Sequence, residues 1–363
     1  MHVVLLESYY GGSHKIWADG YMNYSAHDIQ LITMPAQFWK WRMQGGAISM
    51  ARLLTTKPDV ILASSMIDLS IFRSLTYPSL GDVPIASYFH ENQLSYPQNQ
   101  RQHHGWRYGF INYVSALVAD KNFFNSQFHL NDFMEQLPRL LKHFADFNEL
   151  QTIDEIKAKS SVLPIGMDLR RFDQHQTQKP PNTPPLIVWN HRWEDDKNPQ
   201  AFINSMIELQ KAGYDFSVAI TGENFQQDPT LFTHAKEQLG DKILQLGYME
   251  SFDDYARLLW QADYVVSTAY QEFFGISICE AIYCKCVPIL PNRLNYPNIV
   301  TEDAKSACLY KDGKLTTLLK HHLDGTVNVN TLPLKEKIAQ YDWTIVAPQY
   351  DKALTEITIN RRQ

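Results

Sequence analysis

An α/β protein of two doubly wound domains is what this sequence predicts, and three features predict it. Short β-rich apolar runs alternate with amphipathic stretches through both halves, the pattern of βα units around a parallel sheet. One polar, proline-rich stretch, "QHQTQKPPNTPP", separates two series of such runs and can continue neither a helix nor a central strand. At 363 residues the chain is also too long for one ordinary core.

In the first half, strands are expected at "HVVLLE", "IQLITM", "DVILAS", "PIASYFH", "KNFFN" and "SVLPI". Between them "GAISMARLLTT" and "WRYGFINYVSALVA" read as helices. The second series is "PLIVWN", "FSVAITGE", "ILQLGY", "ADYVVSTA" and "CVPIL". The domains are assigned to residues 1–172 and 186–342, joined near 170–185, with a last helix over 343–363 packing back on the first. In such sheets ligands bind beyond the carboxyl ends of the strands, so loops that directly follow strands are the ones to search.

Composition narrows the function classes. Hydrophobic residues make up 44% and charged residues 20%, ordinary for a globular protein. No apolar run approaches the roughly 20 residues of a spanning helix. "MHVVLLESYY" meets Glu7 after four apolar residues and lacks a basic flank, so it reads as a strand and not a signal sequence. Cys279, Cys284, Cys286 and Cys308 form neither a disulfide framework nor paired zinc ligands, and suit small buried residues in a reducing compartment. The cytoplasm is the expected location. A net charge of −6 argues against unspecific nucleic-acid binding but leaves room for a local basic face.

Four loop segments stand out in the first domain. "YYGGSHK" places Gly11 and Gly12 between a strand and a helix, where backbone can approach an anion or where glycine is simply needed sterically. "YFHENQLSYP" puts His90 and Glu91 at a strand's end, where a histidine can donate, share a proton, or merely cap the loop. "QFWKWRMQGG" and "QRQHHGWR" set Lys40, Arg42, Arg101, His103, His104 and Arg107 beside Trp39, Trp41 and Trp106. These loops suit single-stranded bases stacked on aromatic faces beside phosphate contacts. Packed tryptophans with solvated cations are the alternative.

In the second domain, "VWNHRWEDDKNP" carries Arg192 and Lys197 after the first strand. Such cations can neutralise a diphosphate, or can pair with neighbouring Glu194, Asp195 and Asp196. "QEFFGISICEAIYCKCVPI" places Glu272 in a loop and Glu280 inside the next helix, which Gly275 opens with free N–H groups. Two acceptors flanking a patch of cations and amide donors match a sugar nucleotide, which has hydroxyls at both ends and two phosphates between. No D-x-D metal motif is convincing.

With these motifs in view, the chain resembles the retaining family 4 glycosyltransferases of GT-B fold, and more closely the tRNA-queuosine mannosyltransferases. The resemblance spans nearly the whole chain through "YYGGSHK", "WKWR", "SSMIDL", "YFHENQLSYP", "VADKNFFNS", "HRWEDDKNP", "EFFGISICEAIYC" and "LNYP". It implies two Rossmann-like domains facing each other across a cleft. It implies GDP-mannose as donor, queuosine in the anticodon of a tRNA of the tRNA-Asp type as acceptor, and retention at the anomeric carbon. On this chain, Glu272 would hold the mannose hydroxyls with the backbone of Phe274 and Gly275, and Glu280 the ribose. Arg192 and Lys197 would stabilise the departing diphosphate, with Gly12 donating beside Gly11. His90 would touch the sugar, while Tyr248 and Met249 of "LGYM" would flank the guanine. No cofactor and no metal are expected. A lipid, glycan or small-molecule acceptor, which the weakly amphipathic "LPRLLKHFADF" would suit, stays open at this level. So do a sugar-nucleotide epimerase and a non-catalytic tRNA-binding module.

Overall fold

A computed structural model of the chain describes residues 1–95, 105–181, 183–223 and 229–362. It has two compact units, Met1–Met167 with Tyr341–Gln363, and Asp168–Gln340. The first contains β1 (His2–Tyr10), α1 (Gly12–Tyr24), β2 (Asp28–Pro35), α2 (Trp39–Leu53), β3 (Val60–Ser64) and α3 (Leu69–Leu80). It continues with β4 (Ile85–Phe89), α4 (Gly105–Val118), β5 (Lys121–Phe124), α5 (Gln127–Leu141), α6 (Thr152–Ala158) and β6 (Ser160–Val162). The strands form one parallel sheet in the order β2-β1-β3-β4-β5-β6. Val3 to Leu6 are fully buried because helices cover both faces of a parallel sheet, which is why this strand reads as continuously apolar.

The second unit contains β7 (Leu186–Trp189), α7 (Pro199–Lys211), β8 (Ser217–Ile220), α8 (Pro229–Leu239), β9 (Ile243–Leu246) and α9 (Phe252–Gln261). β10 (Tyr264–Val266), α10 (Ile276–Tyr283), β11 (Val287–Pro291) and β12 (Leu309–Tyr310) follow. Its sheet is parallel in the order β12-β11-β10-β7-β8-β9. Each sheet therefore has a point where strand order reverses, between β1 and β3 in the first unit and between β7 and β10 in the second. Loops diverge there and leave a crevice beyond the strand ends.

Three sequence expectations change. The stretch 170–185 does not stand apart as a joint along its whole length, because its first turn belongs to the second unit: Phe172 is buried against Phe252, and its carbonyl accepts from Trp260 Nε1 at 2.8 Å. "FWKWR" is not loop; Trp39 to Arg42 make the first turn of α2. β12, a two-residue strand, has no counterpart among the expected runs.

The helix Trp343–Arg362 lies in the first unit. Trp17 Nε1 donates to Tyr350 Oη at 3.1 Å and Tyr21 Oη to Asp351 at 2.9 Å. Trp343 fills a notch that only glycines leave open: a Cβ on Gly20 would fall 2.1 Å from its ring and one on Gly166 2.3 Å. All four cysteines are free and buried. Among the described residues no helix is long and apolar enough to cross a membrane.

Candidate active site

In the second unit the loops after β7 and β10 are stitched together at the switch point. Trp189 Nε1 donates to Thr268 Oγ1 at 3.0 Å, Thr268 Oγ1 to the Lys197 carbonyl at 2.7 Å, and Tyr270 N to the Asp196 carbonyl at 2.7 Å. This lacing fixes Lys197, which is only 8% exposed. Its ammonium donates to the Gln271 carbonyl at 2.6 Å and lies 3.1 Å from Asp196 and 3.5 Å from Glu272. Burial opposes its charge, but Glu272 and Asp196 outweigh burial and hold Lys197 above the usual ammonium range.

Glu272 is the reciprocal case. Burial opposes its charge, yet Lys197 and the Phe274 N–H keep it below the usual carboxylate range. Its Oε1 accepts from the Phe273 and Phe274 amides at 3.1 and 3.4 Å. Gly275 then caps α10 in the left-handed region, φ 99°, which glycine adopts without strain. The buried Phe274 carbonyl is tied to Asn295 Nδ2 at 2.9 Å.

Glu280 sits mid-helix with a different environment. Burial raises it to about 7, against the lowering effect of Tyr255 Oη, which donates to its Oε2 at 2.9 Å. Asn190 Nδ2 contacts the same tyrosine hydroxyl at 3.1 Å. Arg192 and Lys197 are not alike. Arg192 is half exposed and pairs with Glu194 at 3.2 Å, so the ion-pair alternative describes it as it stands here. Tyr248 and Met249 follow the edge strand β9, with Tyr248 exposed and Met249 half-buried.

In the first unit, residues at the carboxyl ends of β1, β3 and β4 converge. Glu7, fully buried, accepts from the Tyr9 N–H at 2.8 Å and Ser64 Oγ at 3.0 Å, and its other oxygen lies 2.9 Å from His14 Nδ1. The second His14 nitrogen, Nε2, lies 3.2 Å from Glu91. Burial opposes a charge on His14, but Glu7 and Glu91 together hold it well above the usual imidazole range. His90 is buried, with its ring 4.3 Å from that of His14 and 4.6 Å from that of Trp17. Burial, then His14 and His129, push it well below the usual range, so it is neutral. Gly11 is required sterically, since a Cβ there would meet Ala36 at 2.4 Å. Gly12 is left-handed, φ 53°, with open space where a side chain would be.

Among the described residues, Glu7, His14 and His90 alone have ligand types and spacing suited to a metal, with ligand atoms within 4.8 Å. Both His14 nitrogens already face carboxylates, an arrangement that a doubly protonated ring satisfies and that offers a metal no lone pair.

The expected aromatic and cationic surface divides. Trp39 is half-buried and packs on Tyr108 at 5.0 Å, with Lys40 5.7 Å from its ring, which matches the packed alternative. Trp41 and Trp106 are exposed, 58% and 47%, and Trp106 stacks flat on His143 at 4.8 Å. Arg42 is half-buried and its Nε donates to the Pro35 carbonyl at 3.0 Å, while Arg107 is exposed. Arg101, His103 and His104 lie outside the described residues. Sequence reasoning singled out neither His14, His191, Asn190 nor Tyr255. His191, buried and among the described residues without a partner at Nε2, is neutral, pushed down to about 3 by burial and by Lys197. A histidine two positions after a strand end, beside "RWEDDK", was the available signal.

Two parallel α/β units, with a charged pair locked at the switch point of the second, have the architecture of the GT-B glycosyltransferases, and the chain is a glycosyltransferase of that fold. The family model for group 1 glycosyl transferases matches residues 170–323. That for the N-terminal part of tRNA-queuosine alpha-mannosyltransferase matches residues 2–167. A tRNA-queuosine alpha-mannosyltransferase from Drosophila melanogaster is 33% identical over 360 residues, covering 94% of this chain and 95% of that one. The chain belongs to the tRNA-queuosine alpha-mannosyltransferase family. A GDP-mannose:cellobiosyl-diphosphopolyprenol alpha-mannosyltransferase from Xanthomonas oryzae pv. oryzae is 22% identical over 199 residues, 52% of this chain and 50% of that one. Among solved structures, a sucrose-phosphate synthase from Thermosynechococcus elongatus has TM-score 0.73 at 13% identity, covering 99% of this chain and 100% of its own. A Rickettsia africae glycosyltransferase has TM-score 0.68 at 13% identity, covering 99% of both chains. At these identities the structures speak for the fold.

Proposed function

We propose that the protein moves mannose from GDP-mannose, with retention at the anomeric carbon, to queuosine in a tRNA anticodon in the cytoplasm. The observation that carries the donor half is Lys197. It is buried and charged, fixed by three oxygen partners, and shares Glu272 with the Phe273 and Phe274 amides just ahead of α10. Breaking a nucleotide-sugar bond builds negative charge on the leaving phosphate, and preorganised cations aimed there have the largest effect available. Lys197 supplies one, and Arg192 a second once its side chain exchanges Glu194 for phosphate. Glu272 takes the mannose hydroxyls, Glu280 the ribose, and His90 approaches the sugar as a neutral group. No metal is required in this scheme. The name of the Xanthomonas relative specifies GDP-mannose, which supports that donor here.

The deciding experiment is transfer from radiolabelled GDP-mannose to tRNA with and without queuosine, with the anomeric configuration of the product read by NMR. Label on queuosine-tRNA alone, as the α-anomer, is the expected result. Equal labelling of both tRNAs, or donor turnover without either, would refute the reading.

Glu280 gives this scheme a pH signature. The folded protein keeps a proton that the unfolded chain releases between the ordinary value of 4.5 and about 7, so this group's contribution to stability declines as pH rises through that window. A ribose hydroxyl donating to Glu280 favours the carboxylate. GDP affinity should therefore rise with pH up to and through about 7, then level off. Titration calorimetry across that range checks it, and Glu280→Gln should flatten the profile.

The acceptor half predicts a salt effect. Arg107→Ala and Arg42→Ala should each raise the KM for tRNA, most at low salt, and lower the salt slope by about one. GDP binding should not change. Arg107 is the cleaner probe, because Arg42 also holds the Pro35 carbonyl.

A further inference from the structure

The Glu7–His14–Glu91 chain has one open end. Glu7 is engaged at both oxygens by Tyr9, Ser64 and His14, and His14 at both nitrogens by its two carboxylates. Glu91 alone reaches solvent, its side chain 21% exposed, and only one of its oxygens is engaged among the described residues. The His90 ring packs on the same His14 ring at 4.3 Å, and among the described residues its buried Nε2 has no hydrogen-bond partner. Buried polar atoms in native proteins are nearly always paired, so an empty one beside a solvent-reaching carboxylate marks a place for a ligand or water. Two anions against one cation leave the chain net negative, and its open oxygen can only accept hydrogen bonds.

We propose that Glu91 binds the side group of the acceptor base, a vicinal diol on a secondary ammonium, and that His14 is the positioning residue that holds Glu91 for it. The proposal rests on queuosine as acceptor. The queuosine side group offers two hydroxyl donors and a cation, the complement of a fixed carboxylate beside a neutral imidazole. An unmodified guanine offers neither, so the same contact separates modified from unmodified tRNA. Glu7 serves at the far end: locked by a backbone amide and Ser64, it keeps His14 doubly protonated and aimed at Glu91.

The test compares the affinity of queuosine-tRNA with that of the same tRNA lacking queuosine, by fluorescence anisotropy, for wild type, Glu91→Gln and His14→Gln. A hydrogen bond to a charged group corresponds to about ten- to a hundredfold in affinity. Glu91→Gln should lose a preference of that size for the modified tRNA while its affinity for unmodified tRNA stays put. His14→Gln should raise the KM for queuosine-tRNA and leave the KM for GDP-mannose unchanged, a split that general loss of structure would not produce. Because His14 is buried and its variant can fail to fold, Glu91→Gln at the solvent edge is decisive. If wild type transfers mannose to queuosine-tRNA and Glu91→Gln keeps the full preference, the subsite is wrong and the activity stands. If wild type transfers nothing, the function itself is refuted. Transfer lost to a chelator and restored by zinc would also overturn the assignment, and would make Glu7, His14 and His90 metal ligands.

Discussion

Lys197→Ala should lower turnover by about 10²–10³, the scale for removing one preorganised charge partner at a developing anion. The same substitution should also lower thermal stability, contrary to what a lysine merely lining an open site would do. Lys197 is nine-tenths buried, and without it Asp196 and Glu272 face each other with no cation between. Breaking a buried pair by removing one partner costs about 3–5 kcal/mol. Arg192→Ala provides the control. Its side chain is half exposed and its pairing with Glu194 is superficial, so melting should hardly move while turnover still falls by a similar factor. Steady-state kinetics with calorimetric melting of both variants decides the matter. Near-normal rates in both would remove the diphosphate assignment.

Glu272→Gln should spare GDP binding and damage use of the mannosyl donor, whereas Glu280→Gln should weaken GDP and GDP-mannose alike. The reasoning follows the surroundings of each carboxylate. Glu272 is held as an anion by Lys197 and two amides, so glutamine loses the charge-assisted acceptor while keeping the shape. Losing such an acceptor for sugar hydroxyls costs about 1.5–3 kcal/mol, roughly ten- to a hundredfold in the mannosyl-dependent step. Among the described residues Glu280 touches Tyr255 and no cation, so its substitution leaves the Lys197 cluster intact and acts on nucleotide affinity alone. Titration of both variants with both ligands reads the split, and equal losses would refute it.

What the sequence made legible was local. Eleven of the strands announced themselves as short apolar runs, while β12, two residues long, carries too little pattern to be seen. The Glu272–Glu280 spacing around Gly275 could be read because a loop, a left-handed cap and a helix turn lie within one short segment. Trp39 to Arg42 misled because their mixture of tryptophan and cation resembles an exposed loop, yet helix α2 starts there and buries one side of Trp39. Glu7 shows the other limit. In the sequence it is a charge that ends an apolar run; its meaning depends on His14, seven residues on, and through it on Glu91, 77 residues further still. No periodicity encodes a contact of that reach.

The notch that receives Trp343 has a consequence for how the polypeptide matures. Gly20 and Gly166 wait for a tryptophan made more than 170 residues after the second of them, and the whole of Asp168–Gln340 is synthesised in between. The second unit is continuous in the chain and can close its core as it emerges, whereas the first, although begun earlier, stays incomplete until the helix Trp343–Arg362 arrives. Birth order and folding order are thus reversed, and the unit with Glu91 and His90 is the last to be finished.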